Sequence, residues 1–414
     1  MNQFSFESKQ KSVLIGGMIL GLICLAATWW VGDDGHHTRF WSNFLHNSVF
    51  FTGIAFLALF INTAFTTALA GWHVVFKRVF EAYSLFLIPG LVLMLVIIAG
   101  IWGHFHHLYH WADPQALLPN EEGYIDEILT GKSGFLNKYW YTFGTLIIVG
   151  MWIFFALRLR RFSVEEDKSG TTDYAHYKKT RLWSAIFLPL AGFSSAAIVW
   201  QWVMSTDSHW YSTLFAWYTT ISWFVAAFAS IILLMIYLKS KGYYENVTDE
   251  HMHDLGKYLF AFSIFWTYLW FSQYMLIWYS NNGEETIYFH LRRQNYPVLF
   301  YGNLVLNFLV PFFVLMRNDT KRKFGTLALV AILTLIGHWI DFFLMLKPGI
   351  RETAMHGHGE HTFALGYSFP GVLEFGILVG FASGFLYFVF SKLSQASLVP
   401  ENDPYLGESL HHHV

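Results

Sequence analysis

The chain has 414 residues, of which 55% are hydrophobic, 20% aromatic and only 13% charged, and its formal net charge is -2. A soluble domain could not cover so many apolar side chains, and the near-neutral charge, with no basic stripe, argues against nucleic acid as a partner. The single cysteine, Cys24, excludes a disulfide framework, a thiolate metal site, a resident iron–sulfur cluster and covalently attached c-type haem.

The apolar residues fall into ten blocks of about 20 residues, the length that crosses a hydrocarbon core of about 30 Å. In chain order the predicted transmembrane helices are 12–31, 47–71, 82–102, 140–157, 182–204, 211–238, 258–280, 296–316, 324–346 and 369–391. We therefore predict an all-α integral membrane protein with one polytopic domain over residues 1–414.

The first predicted helix is interpreted as a retained helix, since it is long and lacks a small-residue cleavage site. Most Lys and Arg residues fall in the loops around 158–181 and 317–323, on the side of the membrane that would also hold both termini. The positive-inside rule makes that side cytoplasmic. We expect a multi-pass protein of the bacterial inner membrane, and we expect His73, Lys77, Arg78 and Glu81 to meet lipid headgroups.

The longest outer loop, 103–139, is acidic, which suits either a docking segment or a solvated connector. Its acidic residues are Asp113, Glu121, Glu122, Asp126 and Glu127. It begins with His104, His106, His107 and His110, whose spacing would suit a metal only if the helix broke between them, so a solvated histidine cluster is predicted instead. The run His356, His358, Glu360 and His361 and the terminal His411–His413 predict adventitious metal binding at most, and no resident metal.

Ionisable residues inside a membrane helix are costly and mark candidate functional sites. His338 and Asp341 share one helix face at i, i+3, and Glu374 lies at a similar depth on the next helix, so the three are expected to converge. Asp207 and His209 occupy a short outer turn, and His46 precedes the second helix. A buried structural network is the alternative interpretation.

A haem would need two axial histidines facing each other within the membrane, and only His46 and His338 approach this condition. A quinone requires an aromatic cleft and a histidine or carboxylate that takes its protons. His46, Trp210 and Tyr211 are the candidate walls of such a pocket.

Three segments carry a family resemblance: STDSHWYSTLFAWY (205–218), FSQYMLIWYSN (271–281) and GHWIDFFLMLKPG (337–349). Set among ten spans, they resemble the polysulfide-reductase-type (NrfD-like) quinone-binding membrane subunits. Within that family the chain looks like the shorter, ActF-type membrane subunit of bacterial alternative complex III.

The resemblance implies two four-helix bundles plus two extra helices. It also implies partners: multihaem c-type cytochrome subunits, an iron–sulfur subunit, the longer homologous membrane subunit, membrane lipids and, further along the chain of electron transfer, a terminal oxidase. Menaquinol or ubiquinol would be oxidised on the outer side, with haem c and Fe–S clusters in the partner subunits only.

For this chain the resemblance implies that His338 or His209 accepts protons from the quinol, and that Asp341, Glu374 or Asp207 relays them. Two alternatives remain open: an inert scaffold that holds redox partners, and a secondary transporter, which would need broken helices around a site at the membrane midplane.

Overall fold

Helices account for most of the residues that the computed structural model describes, which are 3–31, 36–114, 116–119, 125–170, 173–355 and 369–413. The α-helices are α1 (Ser8–Trp30), α2 (Thr38–Thr67), α3 (Lys77–Ser84), α4 (Leu87–Gly103), α5 (Glu127–Lys132), α6 (Lys138–Ser169), α7 (Ala175–Trp202), α8 (Thr213–Ser240), α9 (Asp249–Ser280), α10 (Gly283–Asn295), α11 (Pro297–Leu304), α12 (Val310–Leu315), α13 (Asn318–Arg322), α14 (Phe324–Met355), α15 (Val372–Leu393) and α16 (Leu406–Leu410). These ranges contain no β-strand.

Within the described ranges, 9 helical segments are long and apolar enough to cross a membrane. The pair α3–α4 and the pair α11–α12 each cross as one segment. The remaining predicted span, 258–280, lies inside the 32-residue helix α9, whose Trp, Tyr and Gln residues make it less apolar than the others. The prediction is confirmed: this is an all-α integral membrane protein of about ten helices.

Two rings of four helices form the body of the molecule. In the first ring α2, α3–α4, α6 and α7 contact one another in turn, and in the second α8, α9, α11–α12 and α14 do so. Contacts of α2 with α8 and α14 join the rings, while α1 and α15 pack mainly on each other and against α2. This is the arrangement of two bundles and two extra helices that the family resemblance implied.

Glycines bring α1 and α15 into close contact. A Cβ atom built on Gly21 would lie 2.3 Å from the Cα of Gly380, and one built on Gly376 would lie 2.3 Å from the Sγ of Cys24. Small residues spaced by four let two helix backbones approach closely and gain van der Waals contacts where no hydrophobic effect drives association. The glycines therefore explain why these two helices pair outside the bundles.

A π-helical turn, Val305–Leu309, interrupts the span between α11 and α12. A π-turn is rare and is often found at a functional site. This one packs on α14, because a Cβ atom at Gly337 would lie only 2.2 Å from the Oδ1 of Asn307. The first bundle has an interruption of its own at residues 85–86, just before Pro89.

The connecting segments meet at two ends of the molecule. The Asp207 end holds residues 104–114, 116–119, 125–137, 203–212 and 281–296, and the tail end holds the described basic segments and residues 394–413. Of the loops predicted from sequence, Glu121, Glu122, His356, His358, Glu360 and His361 lie outside the described residues.

The prediction that the loop around Glu81 meets lipid headgroups is wrong, because its charges pair inside the protein. His73, Lys77, Arg78 and Glu81 are all at most 3% exposed. Arg78 and Arg160 donate to the Oε2 of Glu81 at 3.1 and 2.8 Å. The residues that cover this loop come from α6, which supplies Arg160 and Asp167, and from the C-terminal segment, which supplies Asp403.

The C-terminal segment is docked on the tail end. Lys77 pairs with Asp403 at 3.1 Å, and the Ser409 hydroxyl donates to the carbonyl of Trp72 at 2.7 Å. His412 lies 2.9 Å from the Oδ2 of Asp254. The segment that carries the terminal histidines therefore packs against the rest of the protein.

Candidate functional site

The carboxylate of Asp341, on α14, is the most densely hydrogen-bonded acidic group within the bundles. Its Oδ1 accepts from the Tyr218 hydroxyl and from the Nδ2 of Asn303 at 2.7 Å. Its Oδ2 accepts from the Ser222 hydroxyl at 2.8 Å and from the Nε1 of Trp266 at 2.9 Å. The side chain is fully buried, so four donors from α8, α9 and α11 take the place of water around the charge.

His338 joins this network through Ser222. The Nδ1 of His338 lies 2.8 Å from the Ser222 oxygen, whose single hydrogen is already donated to Asp341. Nδ1 must therefore donate, which leaves Nε2 as the basic nitrogen of a neutral ring. That Nε2 is buried and has no hydrogen-bond partner among the described residues.

A narrow cleft runs from Asp341 toward the Asp207 end. Its walls include Tyr218, Gln273, Tyr288 and Arg292, and its free volume of about 10 Å³ is close to that of one water molecule. The guanidinium of Arg292 stacks 3.3 Å from the ring centre of Tyr288 and lies 3.9 Å from the Oδ2 of Asp207. Polar side chains thus line the cleft beside the buried carboxylate, and Arg292 on its wall lies near Asp207.

Asp207, Trp210 and Tyr211 line one cavity of about 500 Å³, together with Lys132. Trp210 is fixed by stacking on Tyr288 at 4.0 Å, whereas Tyr211 is exposed. Burial raises the pKa of Asp207, against the opposing effect of the nearby positive charges of Arg292 and Lys132. Three of the predicted site residues are therefore neighbours in an open, largely apolar cavity.

His209, the fourth predicted site residue in this turn, points to the surface instead. Its Nε2 lies 2.6 Å from the Oδ2 of Asp126, at the start of α5. Partial burial tends to raise the pKa of Asp126, but hydrogen bonds from the Leu129 amide and from His209 hold it below its usual range. His110 lies beside this pair, with its ring centre 5.6 Å from that of His209.

Glu374 does not join the Asp341 network. It accepts from the guanidinium of Arg39 at 2.9 and 3.1 Å and from the Nδ2 of Asn43 at 3.1 Å. Lys347 extends this second network, because its Nζ donates to Ser42 at 2.6 Å and to Asn43 at 2.9 Å. The expected convergence of three ionisable groups is thus limited to His338 and Asp341.

His46 lies in the third turn of α2 and is not among the residues that line the Asp207 cavity. Its Nε2 is 2.9 Å from the Trp339 carbonyl oxygen, and its ring stacks on the Trp339 indole at 4.8 Å. The structure therefore does not bring His46 together with Trp210 and Tyr211.

The four histidines after α4 do not form one solvated cluster, and for His106 that prediction is wrong. The helix ends at Gly103 and His104 takes a left-handed conformation with φ 53°, which turns the following residues apart. His106 is 5% exposed, and burial lowers its pKa to about 4. His107 contacts His36, and His110 faces His209.

Sequence reasoning missed most of the partners of Asp341 and Glu374. Tyr218 lies in one of the three family segments, but a tyrosine near a span end indicates an interfacial anchor equally well. Arg39 and Asn43 precede residue 47, the predicted start of the second span, whereas α2 begins at Thr38. If the predicted span had begun one turn before His46, it would have included Asn43.

Comparison with protein-family models finds no match, and comparison with curated proteins finds no significant match. The fold and the site thus define a class of protein: an all-α polytopic membrane protein with a buried carboxylate network.

Proposed function

We propose that this protein is the ActF-type membrane subunit of a quinol:electron-acceptor oxidoreductase and that its own contribution is a proton-handling network centred on Asp341. The observation that carries the proposal is a buried carboxylate with four donors, linked through Ser222 to a histidine whose Nε2 is unpartnered among the described residues. Ionisable groups held inside a membrane bundle in this way are typical of proton relays.

The three segments that carry the family resemblance meet at this network. Tyr218 comes from the first, Gln273 from the second and Asp341 from the third, and all three line the same cleft. These three residues are far apart in sequence, so sequence proximity does not explain why they line one cleft. Their meeting supports the interpretation that the segments are functional and not only aromatic membrane helices.

Quinol oxidation releases two protons, for which a histidine or carboxylate is a suitable acceptor. The cleft beside Asp341 is too small for a quinol ring, whereas the Asp207 cavity of about 500 Å³ has room for one between Trp210 and Tyr211. In the proposed arrangement the quinol ring enters this cavity. Arg292, which lines the Asp341 cleft and lies 3.9 Å from Asp207, would relate the cavity to Asp341 and His338.

Glu374 has a structural role in this proposal, because both of its oxygens are occupied by Arg39. The electrons leave through partner subunits, since the single cysteine of this chain provides no cluster or c-type haem attachment site. Those partners are the multihaem c-type cytochromes, the iron–sulfur subunit and the longer homologous membrane subunit.

The test begins with purification from the native membrane in a mild detergent. We expect co-purification with haem c and iron–sulfur subunits, extractable quinone and quinol-dependent electron transfer. A solitary, colourless and quinone-free protein would contradict the proposal.

In the intact complex we expect Asp341→Asn to lower turnover by about 100-fold, the scale on which a positioned proton acceptor contributes. Asp319→Asn, at an exposed carboxylate on the tail end, is the matched control. If both variants turn over normally, the chain is a scaffold without proton chemistry.

A secondary transporter is the second candidate, and one observation favours it. Both bundles contain an interrupted span, at residues 85–86 and at the π-turn 305–309, as transporters of that class often do. Substrate-dependent uptake into liposomes that hold the purified chain alone, lost on changes around the π-turn, would support this candidate over the first.

A further inference from the structure

A second group of potential ligands lies on the surface of the Asp207 end. His110, Asp126 and His209 each offer one donor atom, and these three atoms lie within 4.8 Å of one another. We propose that they form a binding site for a divalent transition-metal ion of the zinc type. This proposal goes beyond the proposed function and does not depend on it.

The donor set determines the kind of ion. Two imidazoles and one carboxylate are ligands that Zn²⁺ accepts in tetrahedral sites, with a water in the fourth position. Ca²⁺ and Mg²⁺ prefer oxygen ligands, of which this site offers only one carboxylate. Among first-row ions, imidazole ligands favour zinc, copper and nickel.

The donor atoms are close to a coordinating arrangement. Ligand atoms around tetrahedral zinc lie about 3.3 Å apart, as bond lengths of about 2.0–2.1 Å require. Here the Nε2 of His209 and the Oδ2 of Asp126 are 2.6 Å apart, and every pair lies within 4.8 Å. Small side-chain rotations are enough, and the ion takes the place of the hydrogen shared by His209 and Asp126.

The backbone next to each of the three ligand residues is held in place by other contacts. Asp126 caps α5, because its Oδ1 accepts from the Leu129 amide at 2.9 Å, and this leaves Oδ2 to face His209. His110 is followed by the buried Trp111, whose ring lies 5.6 Å from that of Tyr141. His209 precedes Trp210, which is stacked on Tyr288. Such supporting contacts orient ligands and strengthen metal binding.

The site is open to solvent on one side, since the side chain of His209 is 46% exposed. An ion can therefore enter from water without opening the helical bundle. Once bound, it would tie His110 and Asp126 to the turn between α7 and α8, which carries His209.

The test uses the full chain in detergent, freed of metal with a chelator and titrated with Zn²⁺ by calorimetry. We expect one tightest site that weakens at least 100-fold in His209→Ala and in Asp126→Asn, a loss of the order that removal of metal-site contacts produces. In the Asp126→Asn variant the amide oxygen still caps α5, so a change in folding does not explain the loss. His290→Ala, at an exposed histidine of the same end, is the matched control and should bind as the parent does.

Substitution with Co²⁺ supplies a second measurement, because a four-coordinate site with histidine ligands gives an absorption band that hexa-aqua cobalt lacks. The band should vanish in His209→Ala and persist in His290→Ala. The proposal is overturned if binding survives in both ligand variants and disappears only when the histidines at 356, 358, 361, 411 and 413 are replaced, since the ion would then be held adventitiously elsewhere.

Discussion

Asp341 and Glu374 are both fully buried but have opposite surroundings, and this determines what each can do. Asp341 is surrounded by neutral donors, with no cation within hydrogen-bonding distance among the described residues, whereas Glu374 holds a guanidinium on both of its oxygens. A carboxylate bound by a cation gives up its charge only with difficulty, while one bound by neutral groups can exchange a proton at lower cost. Asp341 is the better candidate for chemistry, and Glu374 for structure.

We expect Glu374→Gln to reduce the free energy of unfolding by about 3–5 kcal/mol, because the variant leaves the Arg39 guanidinium buried without its counter-charge. Thermal or denaturant unfolding in detergent micelles measures this change. The control is Glu165→Gln, which removes a surface ion pair with Arg161 and should leave the unfolding transition where it is. Equal behaviour of the two variants would contradict a structural role for the Arg39–Glu374 pair.

The relation between His338 and Asp341 was predictable, because residues three apart on one helix lie on the same face. The place of Glu374 was not predictable in this way. Its depth in the membrane follows from its position in the span, but the direction of its side chain depends on how α15 is rotated against α2. Hydropathy indicates depth along a helix and contains no information on this rotation.

At the level of the elements, the π-turn and Gly337 act together. The turn brings Asn303 to within 2.7 Å of Asp341 and Asn307 against α14, and only a glycine at 337 leaves the necessary space. Span prediction treats 296–316 as one uniform helix, so neither the turn nor its contact was visible in the hydropathy pattern.

Gly337→Ala should push the π-turn off α14 and carry Asn303 away from Asp341. We expect the free energy of unfolding to fall by about 1–3 kcal/mol, as for other overpacked sites, and turnover in the complex to fall with it. Gly325→Ala in the same helix is the control, since nothing lies within 4 Å of a Cβ atom there. A Gly337→Ala protein as stable and active as the Gly325→Ala protein would show that the contact does not hold the turn.

The pairing of α1 with α15 can be tested by cross-linking to the single cysteine. Cys24 faces Gly376, so Gly376→Cys should form a disulfide with Cys24 under mild oxidation after a small outward shift of one helix. Proteolysis followed by mass spectrometry detects the link. Gly384→Cys, two turns further along α15 and next to Met18, should give none. Similar yields from both would contradict the register in which Cys24 lies opposite Gly376.

For the whole molecule, the number of spans was predictable because length and hydropathy alone specify a membrane helix. The docking of the C-terminal segment was not, since residues 394–413 carry no apolar pattern that indicates a partner. One of their anchors, Lys77 with Asp403, joins residues 326 positions apart. Only the folded molecule reveals that the charges of Lys77, Arg78 and Glu81 are paired inside the protein.

The orientation in the membrane is a prediction from the distribution of basic residues. The test uses spheroplasts and a Cys24→Ser background, so that each variant carries one cysteine. We expect His290→Cys to react with an impermeant maleimide added outside. We expect Lys168→Cys to react only after the membrane is permeabilised. Both positions are exposed and lie at opposite ends of the molecule. The reverse pattern of labelling would place the Asp207 end in the cytoplasm.

The glycine contact between α1 and α15 also constrains how the protein is made. The ribosome completes α1 more than 300 residues before α15, an interval of about 20–70 s at usual rates of synthesis. During this time the glycines of α1 that face α15, Gly17 and Gly21, meet lipid or a chaperone of the insertion machinery. The helix α15 therefore captures α1 long after α1 has entered the bilayer, and a chain truncated before residue 372 would leave α1 without this partner.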